Sequence, residues 1–268
     1  MRDKSTKLKK ETSDSFGFEW TMFDEIKPEK SFLEYISPID KSFFKNKLVL
    51  DAGCGSGGYA YYAAKYGAEV IAFDLSDAVK AAYKNTRNEN VQVVQADIYH
   101  LPFKNNLFDY IFCIGVLHHL PEPEEGFKEL VKLMKQDSLI SIWVYGRKKQ
   151  LAAVYIYEPI IKITKHIPHK ILYYLCYFPA TIMELSNIFY KFLNKMGLSK
   201  IAHLLPFKHY SDYPFKIKLN DSFDTFATPS AKYYTEEEIR SWFEDAGLKD
   251  IKITTEGVAK GIKGFGVR

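Results

Sequence analysis

The segment Asp-Ala-Gly-Cys-Gly-Ser-Gly-Gly at 51–58 constrains the fold more than any other part of this 268-residue chain. It closes an apolar run over 47–53 and leads into an alanine- and tyrosine-rich segment over 58–67. Glycines let the backbone approach a ligand without a Cβ atom and turn with positive φ. The first turn of a following helix offers unpaired N–H groups and a positive dipole end. The segment therefore predicts a strand–loop–helix unit that binds a ligand.

Short apolar runs alternate with helical patterns through the first half of the chain. After the first strand, this pattern predicts strands at 69–75, 91–97, 108–114 and 137–146, with helices over 76–86 and after Pro123. Such alternation indicates parallel βαβ units with right-handed crossovers.

The alternation stops at Gly146 and resumes near residue 233. There Thr235 and Glu238 predict a capping box, and two closing strands are expected at 248–257 and 260–268. We expect one domain built from 16–146 and 233–268, a helical insertion rich in lysine and aromatic residues over 147–232, and a disordered tail over 1–15.

Two interpretations of the glycine segment are open. Gly53, Gly55 and Gly58 fit the G-x-G-x-x-G pattern of dinucleotide-binding proteins, which would make the chain a nicotinamide-dependent oxidoreductase. That interpretation also expects Asp74 at the end of the second strand, where a carboxylate can accept hydrogen bonds from a ribose. It does not expect Asp51 directly before the glycines, or two closing strands after the last helix.

At these residues the chain resembles the class I S-adenosylmethionine-dependent methyltransferases. Their D-x-G-x-G-x-G motif has its counterpart in DAGCGSG, and later motifs in FDL (73–75), ADI (96–98) and FDYIFCIGVLHHL (108–120). The resemblance covers 47–146 and 233–268 and does not reach the insertion. It implies an α/β fold: a doubly wound, Rossmann-like sheet of seven strands, with a C-terminal antiparallel strand and the helical insertion after the fifth strand.

The resemblance also implies S-adenosylmethionine as the cofactor and a role for each motif residue. Asp51 would lie near the ammonium group of the cofactor, Asp74 would hold the ribose hydroxyls, and Asp97 would accept from the adenine amino group. These positions are at carboxyl ends of strands, where open α/β sheets bind ligands. The other implied cofactor contacts are Gly53, Cys54, Gly55, Leu75, Ile98, Cys113 and Ile114.

Two adjacent histidines, His118 and His119, are the candidates for a general base. Methyl transfer from a sulfonium requires the nucleophile, methyl group and sulfur to be held in line, and a base only if the acceptor must lose a proton. An imidazole accepts a proton near neutral pH. The pair resembles the LHH signature of methyltransferases that act on small molecules, and we favour His119. The alternative is that one ring only packs in the loop before Pro121.

The acceptor expected from these motifs is a small molecule. The NPPY-type motif of enzymes that methylate amines of nucleic-acid bases is replaced by CIGVLHHLP, and a Pro-Cys nucleophile for pyrimidine C5 is absent from the sequence. Both omissions argue against nucleic acid as the substrate. A rival of another class is a fold that binds the cofactor without catalysis and serves as a partner subunit. The histidines at 166, 169, 203 and 209 lack ligand spacing, so no metal is expected.

Aromatic residues cluster before the first strand, in FGFEW and shortly after it. An aromatic face beside a sulfonium or ammonium group contributes roughly 0.5–2 kcal/mol. The alternative is that the rings dock on the edge of the sheet. The candidates are Phe16, Phe18, Trp20 and Phe23.

The insertion is the basic part of the chain. The whole sequence has 37 lysines and arginines against 33 acidic residues, whereas 147–218 has twelve against three. One interpretation is a lid over an apolar or anionic acceptor, with lysines facing acidic lipid head groups in a peripheral membrane contact. Another is a nucleic-acid surface, which the single, scattered lysines disfavour. The third is a helical subdomain with an aromatic core, or a contact in an oligomer of undetermined size.

The cellular setting expected from the sequence is the cytoplasm. The first fifteen residues are polar and lack the apolar core of a signal peptide. The uncharged apolar run at 171–183 contains Pro179 and is shorter than the roughly 20 residues of a bilayer-spanning helix. Three cysteines without CxxC spacing predict neither a disulfide framework nor a zinc ribbon.

Overall fold

The computed structural model describes residues 2–26, 28–147, 158–256 and 261–268. Its helices are α1 (Arg2–Met22), α2 (Glu29–Ile36), α3 (Gly58–Lys65), α4 (Val79–Thr86), α5 (Pro123–Lys132), α6 (Glu158–Thr164), α7 (His169–Leu175), α8 (Tyr177–Lys195), α9 (Ser199–Ala202), α10 (Phe215–Ala227) and α11 (Glu236–Asp245). Its strands are β1 (Leu48–Ala52), β2 (Glu69–Asp74), β3 (Val91–Gln95), β4 (Phe108–Ile114), β5 (Met134–Tyr145), β6 (Lys249–Thr254) and β7 (Gly261–Val267). The chain divides into two compact units, one of Met1–Val154 with Pro229–Arg268 and one of Tyr155–Thr228.

The first unit contains a seven-stranded sheet in the order β3-β2-β1-β4-β5-β7-β6. The first five strands in that order are parallel, and β7 runs antiparallel between β5 and β6. In this register Asp51 of β1 lies opposite Ala72 on one side and Phe112 on the other. The predicted doubly wound fold, with its antiparallel strand at the C-terminal end, is confirmed.

Both faces of the sheet are covered by helices, which explains the nearly continuous apolar strands. Leu50 and Ile111 point to the face that packs against Phe127 of α5 and Phe243 of α11. The alternate residues on the same strands, including Val49, point to the opposite face, against α2 and α3. Side chains alternate along a strand, so each strand supplies apolar residues to both layers.

The last helix of the sheet unit begins as predicted. The Thr235 hydroxyl accepts from the amide of Glu238 at 3.2 Å, and the Glu238 carboxylate accepts from the amide of Thr235 at 2.7 Å. This capping box satisfies two amides that the helix itself leaves unpaired.

The N-terminus differs from the disordered tail expected over 1–15, because residues 2–22 form α1. Three side chains spaced by four residues, Ser15, Glu19 and Phe23, are buried along one side of this segment. Lys9 reaches Asp97 on the sheet unit. The polar composition concealed this helix, because its contacts depend on tertiary neighbours rather than on an apolar stripe of its own.

The second unit is helical in the part that the structure describes, as predicted for the insertion. Its α8 and α10 are joined by an ion pair between Lys218, which is 1% exposed, and Glu184, with the two charged atoms 2.5 Å apart. A lysine this deeply buried needs a carboxylate partner, because an uncompensated buried charge is strongly destabilising.

Candidate functional site

Polar residues collect where four neighbouring strands end. Asp51 lies near the end of β1, Asp74 is the last residue of β2, and Asp97 follows β3 by two residues. Ile114 is the last residue of β4. Because these strands are parallel and adjacent, their carboxyl ends lie along one edge, where sheets of this kind bind ligands.

The loop after β1 turns through glycines with positive φ. Gly53, Gly55 and Gly57 have φ of 79°, 51° and 79°, whereas Gly58 is the first residue of α3. A Cβ atom at Gly53 would lie 2.3 Å from Cγ2 of Val116, so no larger residue fits there. The glycines that the backbone requires therefore follow D-x-G-x-G-x-G spacing rather than G-x-G-x-x-G spacing.

Hydrogen bonds hold this loop against the end of β2. The amides of Gly53 and Cys54 both donate to the carbonyl of Phe73, at 2.8 and 2.9 Å. The amide of Gly55 donates to Oδ2 of Asp74 at 3.0 Å. The loop is thus held in shape by β2 before any ligand binds.

Asp51 is a buried carboxylate, and one of its two oxygens makes no hydrogen bond. Its side chain is 2% exposed, and Oδ2 has no hydrogen-bond partner. Burial raises the pKa of Asp51 well above its usual value, the hydrogen bond from the Ala60 amide opposes this rise, and the nearby charge of Asp74 adds to it. An unpaired buried carboxylate oxygen is costly unless a cation reaches it. The residues present therefore fit a ligand that carries a positive charge, such as the ammonium group of S-adenosylmethionine.

Asp74 is held in place by its own loop. Its Oδ1 accepts from the amide and the hydroxyl of Ser76 at 2.9 and 2.7 Å, and its Oδ2 accepts from Gly55. An ionised carboxylate has about four acceptor sites. Asp74 is therefore fixed in orientation while keeping capacity for a further donor such as a ribose hydroxyl.

Asp97 is engaged by the N-terminal helix. The ammonium group of Lys9 donates to its Oδ2, and the amide of Tyr99 donates to its Oδ1 at 3.1 Å. Partial burial raises the pKa of Asp97, but these hydrogen bonds outweigh burial and leave the pKa below its usual value. Lys9 was not among the residues predicted from the sequence, where it is one of several lysines in a polar segment.

The remaining predicted cofactor residues are mostly parts of the apolar core. Ile98 and Cys113 pack in the cluster on one face of the sheet, and Cys54 packs in the cluster on the other, with the half-buried Ile114 against it. Leu75 is half-buried directly after β2, and its carbonyl accepts from the side chain of Gln95 at 3.0 Å. A ligand at this edge would meet these residues mainly through their backbone.

The two histidines have different surroundings. Both lie in a 3₁₀ turn, Leu117–His119, that follows β4. Nδ1 of His119 lies 2.9 Å from the carbonyl oxygen of Ser230. An imidazole that donates to a carbonyl through Nδ1 carries its lone pair on Nε2 when neutral.

His118 is fully buried, and neither of its ring nitrogens has a hydrogen-bond partner. Burial, followed by the proximity of His119, lowers the pKa of His118 well below its usual value. Its ring lies 4.0 Å from that of Tyr145. His118 therefore packs as a neutral aromatic ring at neutral pH.

Aromatic residues from two elements surround the histidines. On β5, Trp143 and Tyr145 stand two residues apart on the same face, which was the sequence signal that could have identified them. From α1, Phe16 places its ring 5.0 Å from that of His119, and Trp20 lies against Gly55, with its Cε2 2.9 Å from where a Cβ of Gly55 would be. Two of the predicted N-terminal aromatics thus reach the site.

The other two predicted N-terminal aromatics are Phe18 and Phe23. Phe23 is buried at 4% exposure, and Phe18 is half-buried. Across the described part of the chain, histidine, cysteine, aspartate and glutamate side chains form no group of three or more that could hold a metal ion.

Comparison with known proteins agrees with this geometry. Residues 50–142 match the family described as "Methyltransferase domain". The ubiquinone biosynthesis O-methyltransferase of Coxiella burnetii is 31% identical over 125 residues, which are 43% of this chain and 52% of that protein. The chain thus spans about half the length of this curated relative. The enzyme of the same name from Pectobacterium atrosepticum is 29% identical over 175 residues, or 62% of this chain and 71% of the relative.

A solved structure shows the same fold. The S-adenosylmethionine-dependent methyltransferase from Aquifex aeolicus superposes with a TM-score of 0.50 at 18% identity, and covers 92% of this chain and 95% of its own. The strand order, the D-x-G-x-G-x-G loop with its acidic residues, and the match over 50–142 agree with one another. Residues 50–142 are therefore similar to methyltransferase domains, and the sheet unit has the fold of this S-adenosylmethionine-dependent methyltransferase.

Proposed function

We propose that this protein transfers a methyl group from S-adenosylmethionine to an oxygen or nitrogen atom of a small-molecule acceptor. The observation that carries the proposal is the unpartnered Oδ2 of Asp51, a buried carboxylate oxygen beside a glycine loop of methyltransferase spacing. When bound, the cofactor supplies a methyl group already activated by a sulfonium. The protein's main contribution is then to bind, orient and exclude water.

Each acidic residue has a separate role in this proposal. Asp51 pairs with the ammonium group, Asp74 accepts from the ribose hydroxyls, and Asp97 accepts from the adenine amino group. The other contacts are made by backbone and packing atoms of Gly53, Cys54, Gly55, Leu75, Ile98, Cys113 and Ile114. In support, Asp51 and Asp74 are both held rigidly by neighbouring amides, so little side-chain entropy is lost when a ligand binds.

We infer that His119, rather than His118, takes the proton from the acceptor. The contact between Nδ1 of His119 and the Ser230 carbonyl orients the ring and favours a lone pair on Nε2. The buried His118 lacks such an orienting partner, and the depressed pKa of its ring makes it a weak base. We assign His118 to packing that positions His119, whose ring centre lies 4.0 Å from its own.

For the acceptor, we propose an intermediate of natural-product, lipid or glycan biosynthesis, with O-methylation preferred. A histidine base helps a hydroxyl most, because a hydroxyl must lose its proton to become a good nucleophile. The relatives from Coxiella burnetii and Pectobacterium atrosepticum are named as O-methyltransferases, which supports the preference for oxygen.

The cofactor assignment is tested by calorimetric titration of the protein with S-adenosylhomocysteine and, separately, with NADH. We expect saturable binding of the first ligand only. Asp74→Ala should abolish that binding, whereas Asp77→Ala, which removes an exposed carboxylate from the same turn, should retain it. Binding of NADH alone would identify an oxidoreductase, and an unchanged affinity of the Asp74 variant would refute the site.

The reaction is tested by incubating the protein with a cell extract and an isotopically labelled methyl donor, followed by mass spectrometry of labelled products. His119→Ala should lower turnover by about a hundredfold or more while cofactor affinity stays nearly intact. Normal cofactor binding without transfer to any component of the extract would indicate a non-catalytic partner subunit instead.

A further inference from the structure

The second unit exposes an apolar helix face. On α8 and just beyond it, exposed apolar residues recur at 178, 182, 185, 189, 192 and 196, spaced alternately by four and three residues. This spacing places all six on one side of the helix. The exposed fractions are 75% for Phe178, 60% for Leu185, 49% for Phe189 and 53% for Phe192.

The opposite side of the same helix is the packed one. Ala180 and Asn187 are buried, and Glu184 pairs with the buried Lys218 of α10. The helix thus has a complete internal face, so its second apolar face is not needed to fold this unit. Further exposed apolar residues of the same unit are Ile171, Tyr174, Leu175, Ile201 and Leu204.

Contiguous exposed apolar surface of this kind marks a contact with a partner or a membrane. Most large apolar residues that are exposed in the described part of the chain belong to this one unit; the exceptions are Met22 and Tyr83. The face is therefore a local property of the second unit and not a general feature of the surface.

Exposed charge in this unit is almost entirely positive. Seven of its lysines are exposed, whereas among its carboxylates whose side chains are described only Asp212 is exposed. Asp221 accepts from the hydroxyl of Tyr210 at 2.8 Å, Asp224 from that of Thr228 at 3.0 Å, and Glu184 pairs with Lys218. The exposed lysines are Lys162, Lys165, Lys170, Lys191, Lys195, Lys200 and Lys208.

We propose that this face of α8 docks the protein on an anionic lipid surface, with its apolar residues in the interface and the lysines on the head groups. Lys195 lies three residues after Phe192 on α8, at the edge of the apolar face, and a cation beside an apolar face is typical of a helix that lies in the plane of a membrane surface. In the described part of the chain, no helix is both long and apolar enough to cross a bilayer. Two copies joined through this face would bring together two units whose exposed charge is mostly positive, so charge favours lipid over a second copy.

The proposal is independent of methyl transfer and is tested by sedimentation of the whole protein with lipid vesicles. We expect binding to phosphatidylcholine vesicles that contain phosphatidylglycerol, weakened by salt, and little binding to phosphatidylcholine alone. The double variant Phe189→Ser with Phe192→Ser should bind at least about tenfold more weakly. Tyr83→Ser, which removes a still more exposed ring from the sheet unit, should bind like the wild type.

Charge is tested with Lys195→Glu. We expect a loss of about fivefold or more. Lys104→Glu changes the net charge equally at an exposed position of the other unit and should bind like the wild type. Equal losses in both variants would show that only the total charge matters and would refute a specific face.

A direct readout uses Phe189→Cys labelled with an environment-sensitive fluorophore. Cys54, Cys113 and Cys176 are all buried, so the label goes to the new residue. We expect a blue shift only when anionic vesicles are added. A label already shielded without vesicles would show that the protein itself covers the face. A blue shift that grows with protein concentration, together with dimers in sedimentation equilibrium, would show that a second copy covers it. Either result, or a label that stays exposed with vesicles present, would overturn the proposal.

Discussion

The ammonium group of Lys9 donates a hydrogen bond to the Asp97 carboxylate and lies 4.8 Å from the centre of the Tyr99 ring. In the proposed function, Asp97 accepts from the adenine amino group, so Lys9 and the cofactor compete for one carboxylate. The ion pair is partly exposed, with side chains 25% and 23% accessible, and such pairs contribute about 1 kcal/mol at most.

Lys9→Met should therefore tighten the binding of S-adenosylhomocysteine by up to about fivefold. Lys10→Met, at an exposed neighbouring position of α1, is the matched control and should leave affinity unchanged. The measurement is calorimetric titration of the three proteins in one buffer. Weaker binding by the Lys9 variant would mean that Lys9 helps to hold the cofactor, contrary to this expectation.

Asp51→Asn should stabilise the protein without ligand and weaken its binding of the cofactor. The substitution removes a buried carboxylate whose Oδ2 has no partner, and we expect a gain of about 1 kcal/mol or more in the free energy of unfolding near neutral pH. The loss of charge should weaken S-adenosylhomocysteine binding by about tenfold or more. Urea unfolding and calorimetry measure the two effects, and a less stable variant would contradict the first.

The stability gain of Asp51→Asn should depend on pH. Burial raises the pKa of Asp51 in the folded state, so the wild type loses stability as pH rises from the unfolded-state pKa towards the folded-state pKa. The advantage of the variant should accordingly be smaller near pH 5 than near pH 8. Asp77→Asn, at an exposed carboxylate, should show no comparable gain at either pH.

His118 should make the wild type sensitive to mild acid. Burial and the neighbouring His119 lower the folded-state pKa of His118, so the unfolded chain binds the proton first as pH falls. Stability should decline below the ordinary histidine pKa of about 6.5, by up to about 1.4 kcal/mol near pH 5.5. His118→Phe keeps a ring against Tyr145 and should remove this part of the decline, as measured by urea unfolding across the range. An unchanged slope would show that the ring is protonated in the folded protein.

Gly57 and Gly58 are adjacent and should respond in opposite ways to alanine. Gly57 has φ of 79°, and a Cβ there would lie 2.9 Å from Cα of Ala82. Gly57→Ala should cost at least about 1–2 kcal/mol of stability. Gly58 is the first residue of α3, so Gly58→Ala should be neutral or stabilise by up to about 1 kcal/mol. Thermal unfolding of both variants tests these expected changes in stability. A loss of stability for Gly58→Ala but not for Gly57→Ala would favour the G-x-G-x-x-G spacing of dinucleotide-binding proteins.

Much of the fold could be predicted because its signals are local. Apolar runs of strand length, the capping box at Thr235 and Glu238, and the glycine loop each depend on neighbours close in sequence. Parallel pairing then follows from the alternation of strands with helices. The acidic residues at strand ends, Asp51, Asp74 and Asp97, could be placed at one edge for the same reason.

The contacts of α1 could not be predicted, because they join residues far apart in the chain. Lys9 meets Asp97 across 88 positions, and the carbonyl of Ser230 reaches His119 across 111. Neither Lys9 nor Ser230 differs in sequence from other lysines and serines around it. The expectation of a disordered N-terminal tail was wrong for the same reason: the helix is held by the sheet unit and lacks an apolar stripe of its own.

By itself, the amino-acid sequence determined the alternation of strands and helices from β1 onwards and the glycine loop with its acidic neighbours, because periodicity, turn chemistry and motif spacing are written in consecutive residues. Only the tertiary structure decided which histidine is oriented and which is buried without a partner, which carboxylate is already engaged, and which face of α8 remains exposed. These properties depend on desolvation and on contacts between distant segments, and both come into being only when the chain is folded.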